Sequence, residues 1–330
     1  MRISELQTPA LIVDGAALEA NLATMAAALP GPRLRPHIKA HKCTALARRQ
    51  VVHGAGRFTL ATIKEVEGMA AAGLGEDLML ANEVADASRL GRVVESGARV
   101  TLAVDSEETI GAAVAGGVRE VVIDINVGLP RCGAPPDQAG RLADLARAQG
   151  LEVRGVMGYE GHVVGVEDRS ARLAQIGPSM ELLLAAHAQT GGELISAGGT
   201  GTYDINTWAN EIQAGSYALM DTAYAKLDLP FLQALHLLAT VISVNDQWAV
   251  ADCGLKSLGM DHGNPTVVEG SVWFCSDEHT TFSPDSRLKV GDRVKVIPAH
   301  VDPTVAYHEA MHIVDGEEVV ETWPVDLRGW

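Results

Sequence analysis

From about residue 35 to residue 220 the chain repeats one unit: a short apolar or β-branched run, a glycine or polar turn, then a stretch rich in Ala and Leu. Strand followed by helix, many times over, leaves the strands parallel, because each helix returns the chain to the same end of the sheet. Eight runs read as strands: Arg35 to Ile38, Arg57 to Ala61, Asp77 to Leu80, Arg99 to Val104, Glu120 to Ile125, Glu152 to Gly158, Glu193 to Ser196, and Gln213 to Leu219. Eight units predict an α/β fold closed as a (β/α)8 TIM barrel rather than an open sheet. Helices are expected at Ile63 to Ala72, Val84 to Ser96, Pro136 to Gln149 and Ser170 to Gln189, the last two with apolar residues at i, i+3 and i+4.

After about residue 230 the texture changes. Runs such as HLLATVISV, TVVEGSVWFC and DRVKVIPAHV alternate in the manner of antiparallel strands, separated by turns such as Ser283-Pro284-Asp285. A C-terminal antiparallel β domain without helices is the expectation, and 330 residues suffice for both parts.

Composition removes several function classes. The 42 acidic residues outnumber the 26 basic ones, for a net charge of −16, which argues against a nucleic-acid partner. The cysteines, Cys43, Cys132, Cys253 and Cys275, form no C-x-x-C pair, so neither a disulfide framework nor a zinc knot is expected, and a reducing cytoplasm fits. No apolar run approaches the roughly 18 residues of a membrane span, and the start MRISELQTPALIV reads as soluble and unprocessed.

Barrel chemistry belongs at the C-terminal ends of the strands. The first strand runs into Arg35-Pro36-His37-Ile38-Lys39-Ala40-His41-Lys42, read as a cationic cluster on the catalytic rim. A lysine there can form a Schiff base with an aldehyde cofactor, since neighbouring cations favour the neutral, nucleophilic amine; by residue type alone the cluster reads first as solvated charges at a strand end. After the fifth strand, Gly128-Leu129-Pro130-Arg131-Cys132-Gly133 holds an arginine able to donate to a phenolate oxygen, or is an ordinary turn. After the sixth, Gly158-Tyr159-Glu160-Gly161-His162 brings an aromatic ring, a carboxylate and an imidazole onto one loop, with Tyr159 a candidate to flank a cofactor ring and His162 a candidate proton shuttle. Gly198-Gly199-Thr200-Gly201-Thr202 and Gly215-Ser216 stand after the seventh strand and in the eighth region, where barrels commonly bind phosphate. Near the C-terminus, His300-Val301-Asp302 places two metal-ligating side chains on one face if the segment is a strand.

In this order, RPHIKAHK, GLPRCG, GYEGH, GGTGTY, QAGSYALMD and AHVDPTV resemble the D-threonine aldolase and D-serine dehydratase family of alanine-racemase-like, fold-type III pyridoxal-phosphate enzymes. The resemblance covers nearly the whole chain. It implies pyridoxal 5'-phosphate on Lys39, with Lys42 the rejected competitor; Arg131 near the phenolate oxygen; Tyr159 beside the pyridine ring; and Gly199, Thr200, Gly215 and Ser216 around the phosphate. Gln213 matches the position where alanine racemases carry an arginine facing the ring nitrogen. The resemblance further implies a divalent metal, Mn²⁺ or Mg²⁺ with Zn²⁺ as the third option, on His300 and Asp302, with His308 behind them. Because the leading segment of family members joins the β domain, a barrel of residues 8–228 and a β domain of 1–7 plus 229–330 are expected.

The activity implied is that of a carbon–carbon lyase: an aldolase cleaving D-β-hydroxy amino acids of the D-threonine type to glycine and an aldehyde, with Lys39, His162 and His300 as its catalytic residues, working as a homodimer. The same fold also serves D-serine or 3-hydroxyaspartate dehydratases and amino-acid racemases. A pyridoxal-phosphate carrier is the non-enzymatic alternative; the aspartate two residues after His300 resembles the aldolase branch.

Overall fold

The computed structural model describes residues 1–330. The chain folds as two compact units: Met1–Met25, Ala40–Leu46 and Ser216–Asp326 form one, and Ala26–Lys39, Ala47–Gly215 and Leu327–Trp330 the other. Neither cut falls at residue 7 or 228. The strand Ala10–Asp14 pairs antiparallel with Leu235–Val244 and parallel with Ala310–Asp315, so the segment after residue 7 belongs to the β sheet through its backbone hydrogen bonds.

The second unit is the barrel. Strands Phe58–Leu60, Leu78–Leu80, Val100–Val104, Glu120–Asp124, Glu152–Met157, Leu194–Ala197 and Glu211–Ile212 form an all-parallel sheet in sequence order. The first stave is Leu34 to His37. Leu34 bridges Ile212 on one side and His37 bridges Thr59 on the other, with Arg35 N donating to Ile212 O at 3.0 Å and Thr59 N to Pro36 O at 2.9 Å. Pro36 has no N–H to give, which keeps this stave to isolated bridges instead of a regular ladder. The eighth strand lies earlier than the expected Gln213 to Leu219: it is Glu211–Ile212, and Ser216–Ala218 is a 3-10 turn. Met79, Ala103, Val122 and Met157, from four consecutive strands, pack as one buried cluster.

Arg35 is not part of a catalytic rim. It is fully buried at the start of its stave, its Nε 2.8 Å from Glu211 and a terminal nitrogen 3.1 Å from Asp77. Arg154 reaches the same Asp77 at 2.8 Å and Glu193 at 2.8 Å. Asp77 and Glu211 immediately precede or open their strands, so these charges gather at the N-terminal end of the barrel, where residues serve stability rather than catalysis. A buried guanidinium survives there only because carboxylates meet it directly.

The first unit holds a nine-stranded sheet in which Leu235–Val244, Ala249–Ala251, Thr280–Pro284 and Gly270–Cys275 continue outward on one side of Ala10–Asp14, and Ala310–Asp315 and Glu318–Pro324 on the other. It is not free of helix. Val301–Tyr307 is helical, so His300 and Asp302 do not share a strand face. His300 is the extended residue before that helix (φ −142°, ψ 119°), and Asp302 lies in its first turn, where a carboxylate suits the helix dipole and Pro303 needs no N–H partner. No helix of the protein is long and apolar enough to cross a membrane.

Candidate functional site

In the barrel unit, Lys39 follows the first stave in the 3-10 turn Ile38–Ala40 and is half-buried. Its Nζ stands 5.9 Å from the centroid of the Tyr159 ring, and the Arg131 guanidinium carbon lies 5.5 Å from the same centroid. Three residues expected from separate loops therefore meet around one aromatic ring. Lys42 sits apart in backbone character, at a left-handed φ of 45°.

The Arg131 loop is held from behind. Gly128 has φ 127°, and a Cβ there would lie 2.8 Å from Cε1 of His162, so the imidazole packs flush against a position that only glycine fills. His162 is exposed and supports the loop by this contact. Where the strand Glu120–Asp124 ends, burial and then the neighbouring Glu83 carboxylate raise the Asp124 pKa well above its ordinary range, with Arg131 opposing. The Cys132 thiol is pushed up to about 11, chiefly by its hydrogen bond to Glu83 and then by burial, which leaves it a poor nucleophile near neutrality.

The glycine loop is organised by a residue to which no role was given from sequence. Glu160 is fully buried, and its carboxylate accepts the Gly198 N–H at 3.1 Å, the Thr202 hydroxyl at 2.9 Å and the Asn206 amide at 3.2 Å. The Gly199 N–H, an expected phosphate donor, is already given to Thr202 Oγ1 at 3.2 Å. Gly199 lies beside the Tyr159 ring, where a Cβ would make an ordinary van der Waals contact of 3.6 Å with Cε2. Thr200 is buried on the same loop. Gln213 uses its side-chain amide to donate to Ser196 Oγ at 2.9 Å, while Gly215 is buried just beyond the last strand.

The β unit holds the rest of the expected set. His300 Nε2 stands 3.7 Å from Asp302 Oδ2, so turn and helix together achieve the approach that a strand was expected to give. Two ligand atoms each about 2.0–2.2 Å from one cation can stand this far apart, so the pair fits a divalent ion. Ser216, expected at a phosphate, has its hydroxyl 3.5 Å from Asp302.

Three further residues surround His300 without a signal in the spacing. Buried Asp221 accepts the Val301 N–H at 2.9 Å and so anchors the helix start; burial raises its pKa, with its backbone hydrogen bonds working the other way. Asp261 Oδ2 lies 2.7 Å from His300 Nδ1, and the His262 ring stacks on that of His300 with centroids 4.0 Å apart. Partial burial works to raise the Asp261 pKa, but the His300 hydrogen bond and charge outweigh it and the net direction is down. His308 bonds through Nε2 to the Ser257 carbonyl at 2.9 Å, and burial lowers its pKa.

Comparison with known proteins gives the family. Residues 13–222 match the alanine racemase N-terminal domain, and residues 234–314 match a putative serine dehydratase domain. The chain is 34% identical to a 3-hydroxy-D-aspartate aldolase of Paracoccus denitrificans (strain Pd 1222), the alignment spanning 99% of this chain and 93% of the relative. It is 31% identical to a D-threonine aldolase of an Arthrobacter species, over 99% and 94% of the two chains. Among solved structures, a D-threonine aldolase from Filomicrobium marinum superposes with a TM-score of 0.93 at 33% identity, covering 100% of this chain and 98% of the other.

Proposed function

Because the chain belongs to the alanine-racemase-like family, with a serine-dehydratase-type domain following the barrel, we propose that it is a pyridoxal-phosphate-dependent aldolase that cleaves D-β-hydroxy amino acids to glycine and an aldehyde. The observation that carries this reading is the convergence of Lys39 and Arg131 on the Tyr159 ring. An amine, a fixed cation and a flat aromatic face are the donor set that an aldehyde-bearing, phenolate-bearing aromatic cofactor requires. Pyridoxal phosphate, when bound, supplies an aldehyde for the substrate amine and a ring that takes up the electron pair released from the Cα–Cβ bond.

The roles of this chain's own residues follow. Lys39 would provide the amine that holds the cofactor through its aldehyde. Arg131 places a permanent positive charge at the phenolate oxygen, and Tyr159 covers one ring face. Thr200, with Gly199, Gly215 and Ser216, binds the phosphate; since the Gly199 N–H is committed to Thr202, the hydroxyls and the remaining loop N–H groups make those bonds. Gln213 offers a neutral amide to the ring nitrogen. His300 and Asp302 would hold a divalent cation, Mn²⁺ or Mg²⁺ with Zn²⁺ as the third option, which would supply Lewis acidity toward the β-hydroxyl. His162, an exposed imidazole on the Tyr159 loop, accepts the hydroxyl proton.

Four free cysteines agree with a reducing cytoplasm, and a homodimer is the proposed assembly. The test is product analysis with D-threonine and 3-hydroxy-D-aspartate, with added Mn²⁺ and with EDTA. Glycine with acetaldehyde or glyoxylate supports the aldolase. Ammonia with a 2-oxo acid identifies a dehydratase, and an inverted but otherwise unchanged amino acid identifies a racemase.

A further inference from the structure

Within the β unit, the segment around Ser257 to His262 is pinned along the segment 300–308 at several points. Gly259 forms an antiparallel bridge with His300, and its N–H donates to Thr304 Oγ1 at 2.8 Å. Thr304 Oγ1 in turn donates to the His300 carbonyl at 2.7 Å, and His308 binds the Ser257 carbonyl. A Cβ on Gly259 would lie 2.3 Å from Pro303 Cγ, so the close approach depends on glycine. This backbone register, rather than a chance surface rotamer, brings Asp261 Oδ2 to 2.7 Å from His300 Nδ1 and lays the His262 ring on the His300 ring with an angle of 9° between planes.

We propose that Asp261 is a positioning residue for the metal centre: it accepts the Nδ1 proton of His300 and thereby leaves the Nε2 lone pair directed to the cation shared with Asp302. The proposal rests on the reading that His300 and Asp302 hold a divalent cation. A neutral imidazole carries one N–H, and the partner of one nitrogen decides which nitrogen has the free lone pair. At 2.7 Å a carboxylate is a strong, charge-assisted acceptor for Nδ1, and it also makes Nε2 more basic toward a metal. His262 holds the plane of the ring against rotation.

An alternative use of the same atoms is a cation held by Asp261, His262 and His300, whose ligand atoms all lie within 4.8 Å of one another. The stacking opposes it. Imidazole lone pairs lie in the ring plane, and planes inclined by only 9° at a 4.0 Å separation do not meet at one ion between the rings.

The test uses the cofactor-loaded protein and reads Mn²⁺ binding from the electron paramagnetic resonance of free Mn²⁺, in the wild type and in Asp261→Ala, Asp261→Asn and His300→Ala. Asp261→Ala is expected to bind Mn²⁺ about 10- to 100-fold more weakly, with cofactor absorbance and circular dichroism unchanged. Asp261→Asn recovers part of the loss, because its amide oxygen still accepts the Nδ1 proton without the charge. In ¹⁵N-histidine spectra of the metal-free protein, His300 is protonated at Nδ1 in the wild type and shifts to a mixture of tautomers in Asp261→Ala. Wild-type Mn²⁺ affinity in Asp261→Ala overturns the proposal, and so does a loss as complete as that of His300→Ala, which makes Asp261 a ligand. Should His300→Ala itself bind Mn²⁺ like the wild type, the metal reading fails first, and is recognised by that variant alone.

Discussion

The Glu160 carboxylate accepts the Thr202 hydroxyl at 2.9 Å while a second oxygen takes the Gly198 N–H, so one buried anion closes the glycine loop upon the Tyr159 loop. Gly198, Thr202 and Asn206 all act as donors to this carboxylate. In Glu160→Gln one oxygen becomes an NH₂ facing a donor, and a buried donor is left without an acceptor at a cost of about 1–3 kcal/mol. The expected outcome is weaker pyridoxal-phosphate retention, about tenfold for each 1.4 kcal/mol carried into the loop, measured by equilibrium dialysis. Wild-type retention together with a wild-type melting temperature would refute the role.

Lys39→Ala is expected to abolish the borohydride-reducible cofactor adduct and reduce turnover by several orders of magnitude. Peptide mapping after borohydride reduction checks the attachment point. Recovery of the adduct on Lys42 in the wild-type protein would overturn the assignment.

His300→Ala is expected to remove Mn²⁺-stimulated cleavage while leaving the cofactor absorbance of Lys39 in place. EDTA treatment of the wild type should give the same phenotype, reversed by Mn²⁺. Full activity of His300→Ala in the presence of chelator is the contrary result.

At the base of the barrel, Asp77 is paired with two buried arginines. Burial alone would raise its pKa, but the hydrogen bond from Arg154 and the charge of Arg35 dominate and hold it far below the ordinary carboxylate range. The folded-state pKa lies beneath the unfolded one, so this contribution to stability is complete above about pH 3.9 and declines as the pH falls toward the folded value. Asp77→Asn leaves the guanidinium groups undercompensated and is expected to cost about 3–5 kcal/mol at neutral pH. Urea melts between pH 2 and pH 7 should show the gap between wild type and variant narrowing on the acid side.

Much of this protein is legible along the chain because its signals are local. The βα rhythm, the turn glycines and the apolar spacing specify staves and helices within a few residues, since each depends on neighbours no more than a turn away. Where reading failed, a nonlocal partner intervened. Arg35 reads as a rim cation next to Lys39, yet Asp77 and Glu211, far along the chain, draw it into the base. His300 and Asp302 read as a strand pair, yet Asp221 anchors the Val301 N–H and a helix begins.

By itself the sequence determined the kind of chain this is: parallel staves, an alternating β region, and the residue types for amine, arginine, aromatic and metal-ligand chemistry. Only the tertiary structure decided which of them meet. Lys39, Arg131 and Tyr159 belong to three different strand-end loops, and Asp261 reaches His300 across 39 residues of sequence. Periodicity dictates which way a side chain faces within its own element, whereas contact between elements depends on strand register and loop closure, which no short window of sequence contains.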